Sequence, residues 1–395
     1  MAKFKVLKHN QELMALLGIH SHRLTEPTNE FFKLPVTYLV LFILCTFSIT
    51  SCAMFAYKNF SQFGAALEAI YIMIAGVQCG GMYLSVGLKM KQVKLLQQKL
   101  QEIVDEGHTF DVAELYWNTE RKCRQYTKTM VYSYVMFIEG LLLTKFVQSI
   151  YFVFLANSDP TSIALPYYMV VPFDTTTLCG WYLLWFIQCV MSFNYSMGVI
   201  STTSFFLCCC IYIDSIRKHM ELIFASLKQN IDQIRQVKKR TAYHKLRRDI
   251  QENLHQAIDL HVKVIDIFRM VADINGGTIF SLLPVNAVFL AISMYRMENL
   301  ELNLISFAQD ILYIVSSLCW PYVFCRFATH VTDQMVSIGR IAYEVNWYDS
   351  PVVWQKYLIL IISRSQQKVY FTGFNLITCT LETFAKVTFS LVQIR

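Results

Sequence analysis

Residues 178–213 read LCGWYLLWFIQCVMSFNYSMGVISTTSFFLCCCIYI, and no Asp, Glu, Lys or Arg interrupts this run before Asp214. A transmembrane helix needs about 20 mostly apolar residues, so the run predicts a helix that tilts or projects beyond the bilayer. A soluble domain carries about 25% charged residues, whereas this chain of 395 residues has 16% charged and 55% hydrophobic residues. The sequence therefore predicts an all-α, polytopic membrane protein.

Further apolar runs flank this stretch on both sides. Together with the run that begins at 178 they predict seven transmembrane helices, and the other six cover about 35–57, 67–88, 130–156, 274–295, 302–325 and 369–394. Residues 357–363 are apolar but too short to cross a bilayer. We therefore expect the last span to be split into a cytoplasmic half-helix and a pore helix.

The basic residues predict the orientation of the chain. Lysines and arginines concentrate in the N-terminal segment, in the loops after spans two and four, and in residues 326–368. The other side carries only Lys58, Arg296 and Arg395. Because cytoplasmic loops are enriched in Lys and Arg, the N-terminus is predicted to be cytoplasmic and the C-terminus extracellular. The formal net charge of +7 is thus a signal of topology and does not indicate a nucleic-acid partner.

These patterns divide the chain into four segments. Residues 1–34 are predicted to form a cytoplasmic segment with an amphipathic helix, and residues 35–325 to hold helices one to six. Polar stretches with apolar residues at helical spacing, 89–128 and 214–268, predict cytoplasmic extensions of those helices. Residues 326–368 are predicted to be a cytoplasmic anchor or assembly segment, and residues 369–395 the pore-lining seventh helix.

The last span carries a polar stripe at helical spacing. Ionisable residues are costly in lipid and usually face protein or water, so the stripe is either a packing face or the lining of an ion path in an oligomer. Glu382 and Lys386 lie four residues apart and can pair. The stripe consists of Asn375, Cys379, Glu382, Lys386, Ser390 and Gln393.

Aromatic residues predict a ligand pocket in the outer half of the bundle. Such stripes also serve helix packing or interfacial belts, but an apolar cavity with few polar groups suits a small volatile ligand. Enzyme and zinc-site motifs do not occur in the sequence, so neither a catalytic nor a metal site is expected. The candidate ligand-binding residues are Tyr71, Ile74, Phe146, Val147, Ile150, Tyr182, Trp185, Phe186, Cys189 and Tyr313.

Short motifs in the C-terminal quarter point to a known family. They are Ser317-Leu318-Cys319-Trp320-Pro321, Phe327-Ala328-Thr329, Val331-Thr332, Ala342-Tyr343-Glu344-Val345-Asn346-Trp347-Tyr348 and Leu381-Glu382-Thr383-Phe384-Ala385-Lys386. The last two are similar to the Tyr-Glu-Ser-Asn-Trp-Tyr and Leu-Glu-Thr-Phe motifs of the insect odorant receptors, with Val345 where Ser is usual. In these motifs the chain resembles the insect odorant receptor family.

The resemblance implies an odorant-binding subunit of a heteromeric, ligand-gated, nonselective cation channel in olfactory sensory neurons. Tuning subunits of that family assemble with a shared co-receptor as heterotetramers. Because this chain has a shorter loop after span four than the co-receptor, it resembles a tuning subunit. The implied partners are the co-receptor, a small volatile apolar odorant and membrane lipid, with no cofactor. The implied location is the plasma membrane of the sensory dendrite.

The resemblance also implies pore positions. An ungapped alignment from the C-terminus puts the co-receptor's hydrophobic gate positions on Ser390 and Ile394, and its pore glutamine on Gln393. Lys386 joins them as a member of the polar stripe. Ser390 replaces an apolar gate residue and favours a wetter constriction on the side of this subunit. Two other functions stay open for the chain: a metabotropic seven-helix chemoreceptor and a homomeric gustatory-type channel.

Overall fold

A computed structural model describes residues 6–7, 36–107, 109–150, 167–175, 177–234, 236, 240–299 and 304–393. Within these ranges it describes the backbone, but not the side chains, of residues 36–41, 137–150, 178, 304–306, 349 and 391–392. Apart from Val6 and Leu7, the predicted N-terminal segment 1–34 lies outside the described residues. Val6 and Leu7 are buried, and the Val6 amide donates to Gln101 Oε1 at 3.0 Å.

The described residues are mostly helical. We number the helices in chain order: α1 Val36–Lys58, α2 Phe63–Leu88, α3 Met90–Glu106, α4 Phe110–Ile150, α5 Leu178–Ile234, α6 Arg240–Ile274, α7 Gly276–Asn299, α8 Leu304–Tyr343, α9 Val352–Gln366 and α10 Leu381–Gln393. A 3₁₀ turn, Trp347–Asp349, follows α8. Between α9 and α10 lies an antiparallel hairpin of β1 Thr372–Gly373 and β2 Ile377–Thr378.

Several helices have the length and apolarity that a membrane span requires. Within the described ranges, four helical stretches meet this requirement: Phe63–Leu88, Cys179–Ile234, Gly276–Asn299 and Phe307–Tyr343. A shorter apolar stretch, Phe42–Lys58, belongs to α1. Because backbone polar groups must be satisfied internally in lipid, helices are the expected solution. The prediction of an all-α, polytopic membrane protein is confirmed.

Helix α5 is the central element of the fold. Its apolar membrane window is almost entirely buried by other helices, and α1, α2, α4, α6 and α8 all pack against it. Small and polar side chains such as Ser201, Thr202 and Ser204 satisfy their hydroxyls on the preceding turn of the same helix. The helix can therefore be surrounded by protein without leaving these hydroxyls unpaired.

Below the membrane spans, the polar stretches form a compact helical bundle. Helix α3 and helix α6 are amphipathic, and their apolar faces meet in one core with the lower half of α5. Lys263 Nζ of α6 pairs with Glu106 Oε2 of α3 at 2.6 Å, and Lys89, the residue before α3, pairs with Asp273 Oδ1 of α6 at the same distance. Helix α9 packs on α8 and α6. The assignment of these parts to an anchor or assembly role stays a prediction.

The pore helix begins later than the sequence predicts. We expected a helix from Val369, but residues 372–378 form the hairpin and α10 starts at Leu381. Phe374 and Asn375 at the tip have φ of 49° and 58°, which are the left-handed values that a tight hairpin turn needs. Two members of the predicted polar stripe therefore lie off the helix: Asn375 at the tip of the hairpin and Cys379 directly after it.

A close helix contact occurs at Gly76, which forms a GxxxG pattern with Gly80. A Cβ atom at Gly76 would lie 2.8 Å from Ile49 Cγ1 and 2.9 Å from the Tyr195 hydroxyl, and this hydroxyl also contacts Ser48. The pattern therefore serves packing of α2 against α1 and α5 within the chain, as small residues commonly do between membrane helices.

We expect Gly76→Ala to destabilise the protein by about 1–3 kcal/mol, because the added methyl group overpacks a tight contact. Gly81→Ala is the matched control, since a Cβ at Gly81 meets nothing within 4 Å. Melting temperatures of the purified variants in detergent test this. Equal melting temperatures for the two variants would contradict the tight contact at Gly76.

A buried histidine makes the cytoplasmic bundle sensitive to acid. His261 of α6 shares a hydrogen bond with the Ser365 hydroxyl of α9 at 3.2 Å between Nε2 and Oγ. Burial, followed by the positive charge of Arg364, lowers the pKa of His261 from 6.5 to about 4. The folded bundle thus holds a neutral imidazole, whereas the unfolded chain takes up a proton below pH 6.5.

Stability should accordingly be lost as the pH falls from about 6.5 towards 4. At pH 5 the contribution of His261 to this loss is about 1–2 kcal/mol. His261→Gln should remove that part of the difference between the melting temperatures at pH 7.5 and pH 5. His244→Gln, at an exposed position near the start of the same helix, should leave the difference unchanged. The opposite ranking would contradict the assignment.

Candidate ligand cavity and pore helix

A cavity of about 160 Å³ lies among α2, α4, α5, α7 and α8. Helices α2, α5, α7 and α8 contribute residues at helical spacing, such as Tyr71, Ala75, Gln78 and Met82 of α2, so one face of each turns inward, and α4 contributes Tyr134. A cavity of about 150 Å³ with apolar walls accommodates one benzene ring, so this cavity suits a single-ring ligand. Its aromatic lining residues are Tyr71, Tyr134, Tyr167, Tyr195, Phe289, Tyr313, Trp320 and Phe324.

Aromatic contacts in the cavity wall tie separate helices together. The ring of Tyr71 stacks on Phe289 of α7 with centroids 4.2 Å apart and lies 4.5 Å from the ring of Tyr313 of α8. On the other side, Tyr134 of α4 lies 4.7 Å from Trp320 of α8. Ring pairs at these distances are attractive beyond their buried area, so the wall of the cavity is also part of the packing of the bundle.

The segment before α5 covers part of the cavity through polar contacts. The Tyr167 hydroxyl and the Ser192 hydroxyl are 2.5 Å apart. The buried Gln188 side chain accepts from the Tyr167 amide at 3.3 Å and donates to the Tyr167 carbonyl at 2.7 Å. These bonds hold Tyr167 against α5, where its ring lines the cavity.

A buried charge cluster lies at the outer end of the cavity. Arg296 of α7 donates from Nη2 to Glu68 Oε1 at 2.7 Å and from Nε to Asp310 Oδ2 at 3.1 Å. A small second cavity touches these residues and shares Tyr71, Tyr313 and other lining residues with the first. Arg296, which sequence patterning places in an outer loop, thus pairs with the intramembrane Asp310. Three of the helices around the cavity are joined by this cluster.

The predicted ligand-binding residues fall into four groups. Tyr71 and Tyr313 line the cavity. Ile74, Trp185 and Cys189 are at least partly buried but do not line it. Tyr182 and Phe186 are 42% and 67% exposed and lie away from it. The side chains of the remaining candidates lie outside the described residues; these candidates are Phe146, Val147 and Ile150.

The candidate residues of α5 lie on turns other than those that line the cavity, and the reason is physical. The inward face of α5 carries Ser192, Tyr195, Val199 and Thr203, which lie one to several turns below the aromatic cluster that we selected. An apolar ring on a membrane helix packs equally well on lipid and on protein, so its identity does not reveal its direction. Small and hydroxyl residues at steps of three and four are the signal that could have located this face.

The polar stripe of α10 faces outward from the single chain. Glu382, Lys386, Ser390 and Gln393 are exposed and share one face of the helix. Lys386 Nζ lies 2.6 Å from Glu382 Oε1, so the predicted pairing within the stripe is present. Ile394 lies outside the described residues. Among the residues that the structure describes, no cluster of His, Cys, Asp and Glu could hold a metal ion.

The opposite face of α10 packs on the helices of the ligand cavity. Phe384, Val387 and Thr388 line a small gap against α7 and α8, and Asn286 lines both this gap and the ligand cavity. The start of α10 is held by the Leu381 amide, which donates to Thr329 Oγ1 of α8 at 3.0 Å. The ligand cavity and the pore helix therefore share neighbouring residues.

Two features define the class of protein: an apolar cavity within a polytopic helical bundle, and a short terminal helix with an outward polar face. The family model for the 7tm Odorant receptor matches residues 59–390, and the chain belongs to this family. It is a family of receptors and not a family of enzymes.

Named relatives and solved structures agree with this assignment. Odorant receptors 85f and 85c of Drosophila melanogaster are each 22% identical to the chain, over 32% and 63% of it. The matches span 32% and 60% of the lengths of those relatives. The odorant receptor coreceptor of Aedes aegypti is 19% identical over 33% of this chain and 27% of its own length. The insect olfactory receptor OR5 from Machilis hrabei in complex with eugenol has a TM-score of 0.78 at 16% identity. That match covers 98% of this chain and 95% of the receptor.

The charge cluster gives a test of how the outer end of the cavity is held. Arg296→Met should destabilise the protein by about 3–5 kcal/mol, because it removes the cation that pairs with the buried carboxylate of Asp310 and with Glu68. Arg248→Met is the matched control. Arg248 Nε lies 3.7 Å from Glu252 Oε1, and both side chains are exposed. Exposed ion pairs of this kind contribute less than about 1 kcal/mol to stability. Melting temperatures in detergent should separate the two variants. Similar losses in both would show that the cluster is not buried as described.

Proposed function

We propose that this chain is the odorant-binding subunit of a heteromeric, ligand-gated, nonselective cation channel. The single observation that carries the proposal is the arrangement of two sites. A ring-sized apolar cavity lies beside a short helix whose polar face has no covering helix within the described part of the chain. The first site suits a small odorant, and the second suits a pore that several subunits complete.

The cavity supports the ligand half of the proposal. Its aromatic side chains, with Tyr71 and Tyr313 from the sequence prediction among them, provide apolar contacts for a small ligand. Pocket roles for Trp185 and Cys189 are not carried forward, because other residues of α5 line the cavity. Phe146, Val147 and Ile150 remain candidates on the sequence argument alone.

Contacts between the cavity and α10 support a mechanism of opening. Phe324 lines the cavity and stacks on Phe206 of α5 with centroids 3.9 Å apart. Phe206 in turn meets Phe371, next to the hairpin, at 5.1 Å. An odorant that displaces Phe324 would therefore disturb the support of the hairpin that precedes α10. Because packed cores shift between discrete arrangements, such a displacement can favour an open pore.

The outward face of α10 supports the channel half. A polar stripe in a membrane turns towards water or towards other helices, and copies of α10 around a symmetry axis would line an aqueous path. On this view Lys386, Ser390, Gln393 and Ile394 face the pore. The likeness to a coreceptor supports assembly with such a subunit as a heterotetramer. The expected site of action is the plasma membrane of the sensory-neuron dendrite, in contact with membrane lipid.

Co-expression tests the proposal. Cells with this chain and an odorant receptor coreceptor should show odorant-evoked, nonselective cation current during a panel of small volatile compounds. Cells with either subunit alone should show no comparable response. Substantial odorant-evoked current from this chain alone would favour the homomeric alternative. A G-protein response without current would favour the metabotropic alternative.

A charge variant in the same assay tests the pore role. Lys386→Gln should raise the single-channel cation conductance, because it removes a positive charge from the wall of the pore. Odorant potency should stay the same, since α10 does not line the cavity. Lys356→Gln, at an exposed position on α9, should change neither quantity. A conductance that is identical in all three proteins would remove Lys386 from the pore.

A further inference from the structure

Three buried amide side chains line the ligand cavity with hydrogen-bonding atoms left unpaired by the described residues. Gln78 of α2 and Gln309 of α8 are 9% and 8% exposed, and no hydrogen bond joins either side chain to another described residue. Asn286 of α7 donates to the Leu282 carbonyl at 2.7 Å, while its amide oxygen accepts no bond from the described residues. These amides come from three different helices, and all of them border the same space.

A comparison with Gln188 shows that a buried amide in the same bundle can be bonded by the chain itself. Gln188 is also buried in the membrane region, but its amide bonds both the nitrogen and the oxygen of the Tyr167 backbone. Two hydroxyls of the lining are also paired: Ser192 with Tyr167, and Ser316 with the Tyr313 carbonyl. Buried polar groups are nearly always satisfied in folded proteins. Gln78 and Gln309 are therefore groups that a bound molecule can satisfy.

The amides occupy two levels of the cavity. Gln309 also borders the small outer cavity beneath the charge cluster of Arg296. Gln78 lies two helical turns along α2 from Tyr71, which is about 10 Å deeper at 1.5 Å per residue. Aromatic rings fill the wall between these levels. A ligand with an apolar body and a polar group at one end can place its ring on this wall and its polar group on an amide.

We propose that the cavity selects small, neutral, oxygen-bearing molecules, namely alcohols, phenols and carbonyl compounds with a single ring or a short chain, over hydrocarbons of the same shape. The proposal rests on the proposed function, because it assigns the ligand class of the same cavity. Gln309 and Gln78 are its specificity-determining residues. A hydrocarbon would cover these amides and leave them unpaired, whereas an oxygen-bearing ligand would supply the missing bond.

Matched ligand pairs provide the test. Benzyl alcohol and ethylbenzene differ by a hydroxyl in place of a methyl group, and acetophenone and isopropylbenzene differ by a carbonyl oxygen in place of a methyl group. Binding is measured as the rise in melting temperature of the purified chain, which a ligand of the folded state produces without any channel current. Potency is measured as evoked current with the coreceptor. The oxygen-bearing member of each pair should be at least about tenfold more potent.

Substitution of the amides separates specificity from folding. Gln309→Met and Gln78→Met keep the length of the side chain and remove its hydrogen-bonding groups. Because the replaced amides have no partner to lose, both variants should melt no lower than the parent protein, and they should lose most of the discrimination within each ligand pair. Gln98→Met, at an exposed position on α3, should keep the full discrimination. Gln188→Met should lower the melting temperature, because that amide is bonded.

The outcomes distinguish this proposal from the channel proposal. If the oxygen-bearing member of each pair raises the melting temperature more than the hydrocarbon does, but no current is evoked, the proposed ligand class is upheld and the proposed channel function is contradicted. Evoked current with equal potency for both members of each pair would uphold the channel and overturn the ligand class. Discrimination that survives in the double variant Gln78→Met/Gln309→Met would also overturn it. So would the absence of stabilisation by every oxygen-bearing compound in the set.

Discussion

The burial of helix α5 is the constraint on which the rest of the structure depends. A helix that lies inside a membrane bundle must be surrounded by other helices, and in α5 this condition continues below the bilayer into the cytoplasmic bundle. The cavity helices α2, α4 and α8, the cytoplasmic helix α6 and helix α1 all contact α5. Because interiors are close-packed, a displacement at one level of α5 is transmitted to its neighbours at another.

The sequence predicts the helices that depend on hydrophobicity alone. Val36–Lys58, Phe63–Leu88 and Gly276–Asn299 begin within a few residues of the expected positions, because the length of a span is set by the thickness of the bilayer. The cytoplasmic continuation of α5 was likewise expected from its length. These features follow from composition and period, which a single sequence displays in full.

The parts that the sequence did not reveal depend on contacts between distant residues. Residues 369–380 are as apolar as a span, yet they turn at Phe374 and Asn375, and Phe-Asn is not a pair that marks a hairpin. The turn is supported by packing, since a Cβ at Gly373 would lie 2.5 Å from the backbone of Phe280. The sequence alone places Arg296 in an outer loop, because it does not reveal that Glu68 and Asp310 pair with this residue. Tyr182 and Phe186 share a face, but the face is not the one that lines the cavity.

Polar groups inside the bundle are accommodated in three different ways. Arg296, Glu68 and Asp310 neutralise one another at the outer end, and the hydroxyls of α5 bond to the backbone of their own helix. The stripe of α10 remains exposed on the single chain. Gln78 and Gln309 follow none of these solutions, although each is nine-tenths buried. In this they differ from the charge cluster and from the bonded hydroxyls of α5.

The stacked rings of Tyr71, Phe289 and Tyr313 have a consequence for pharmacology. These rings hold α2, α7 and α8 together, so occupation of the cavity and rearrangement of its wall are separate events. If this cavity is the odorant site, as we propose, a molecule that wedges the rings apart would shift the bundle and act as an agonist. A slimmer molecule that lies beneath the closed rings would fill the same space without shifting it, and it would compete with odorants as an antagonist. Efficacy in this receptor would then follow the width of the ligand, while affinity follows its polar group.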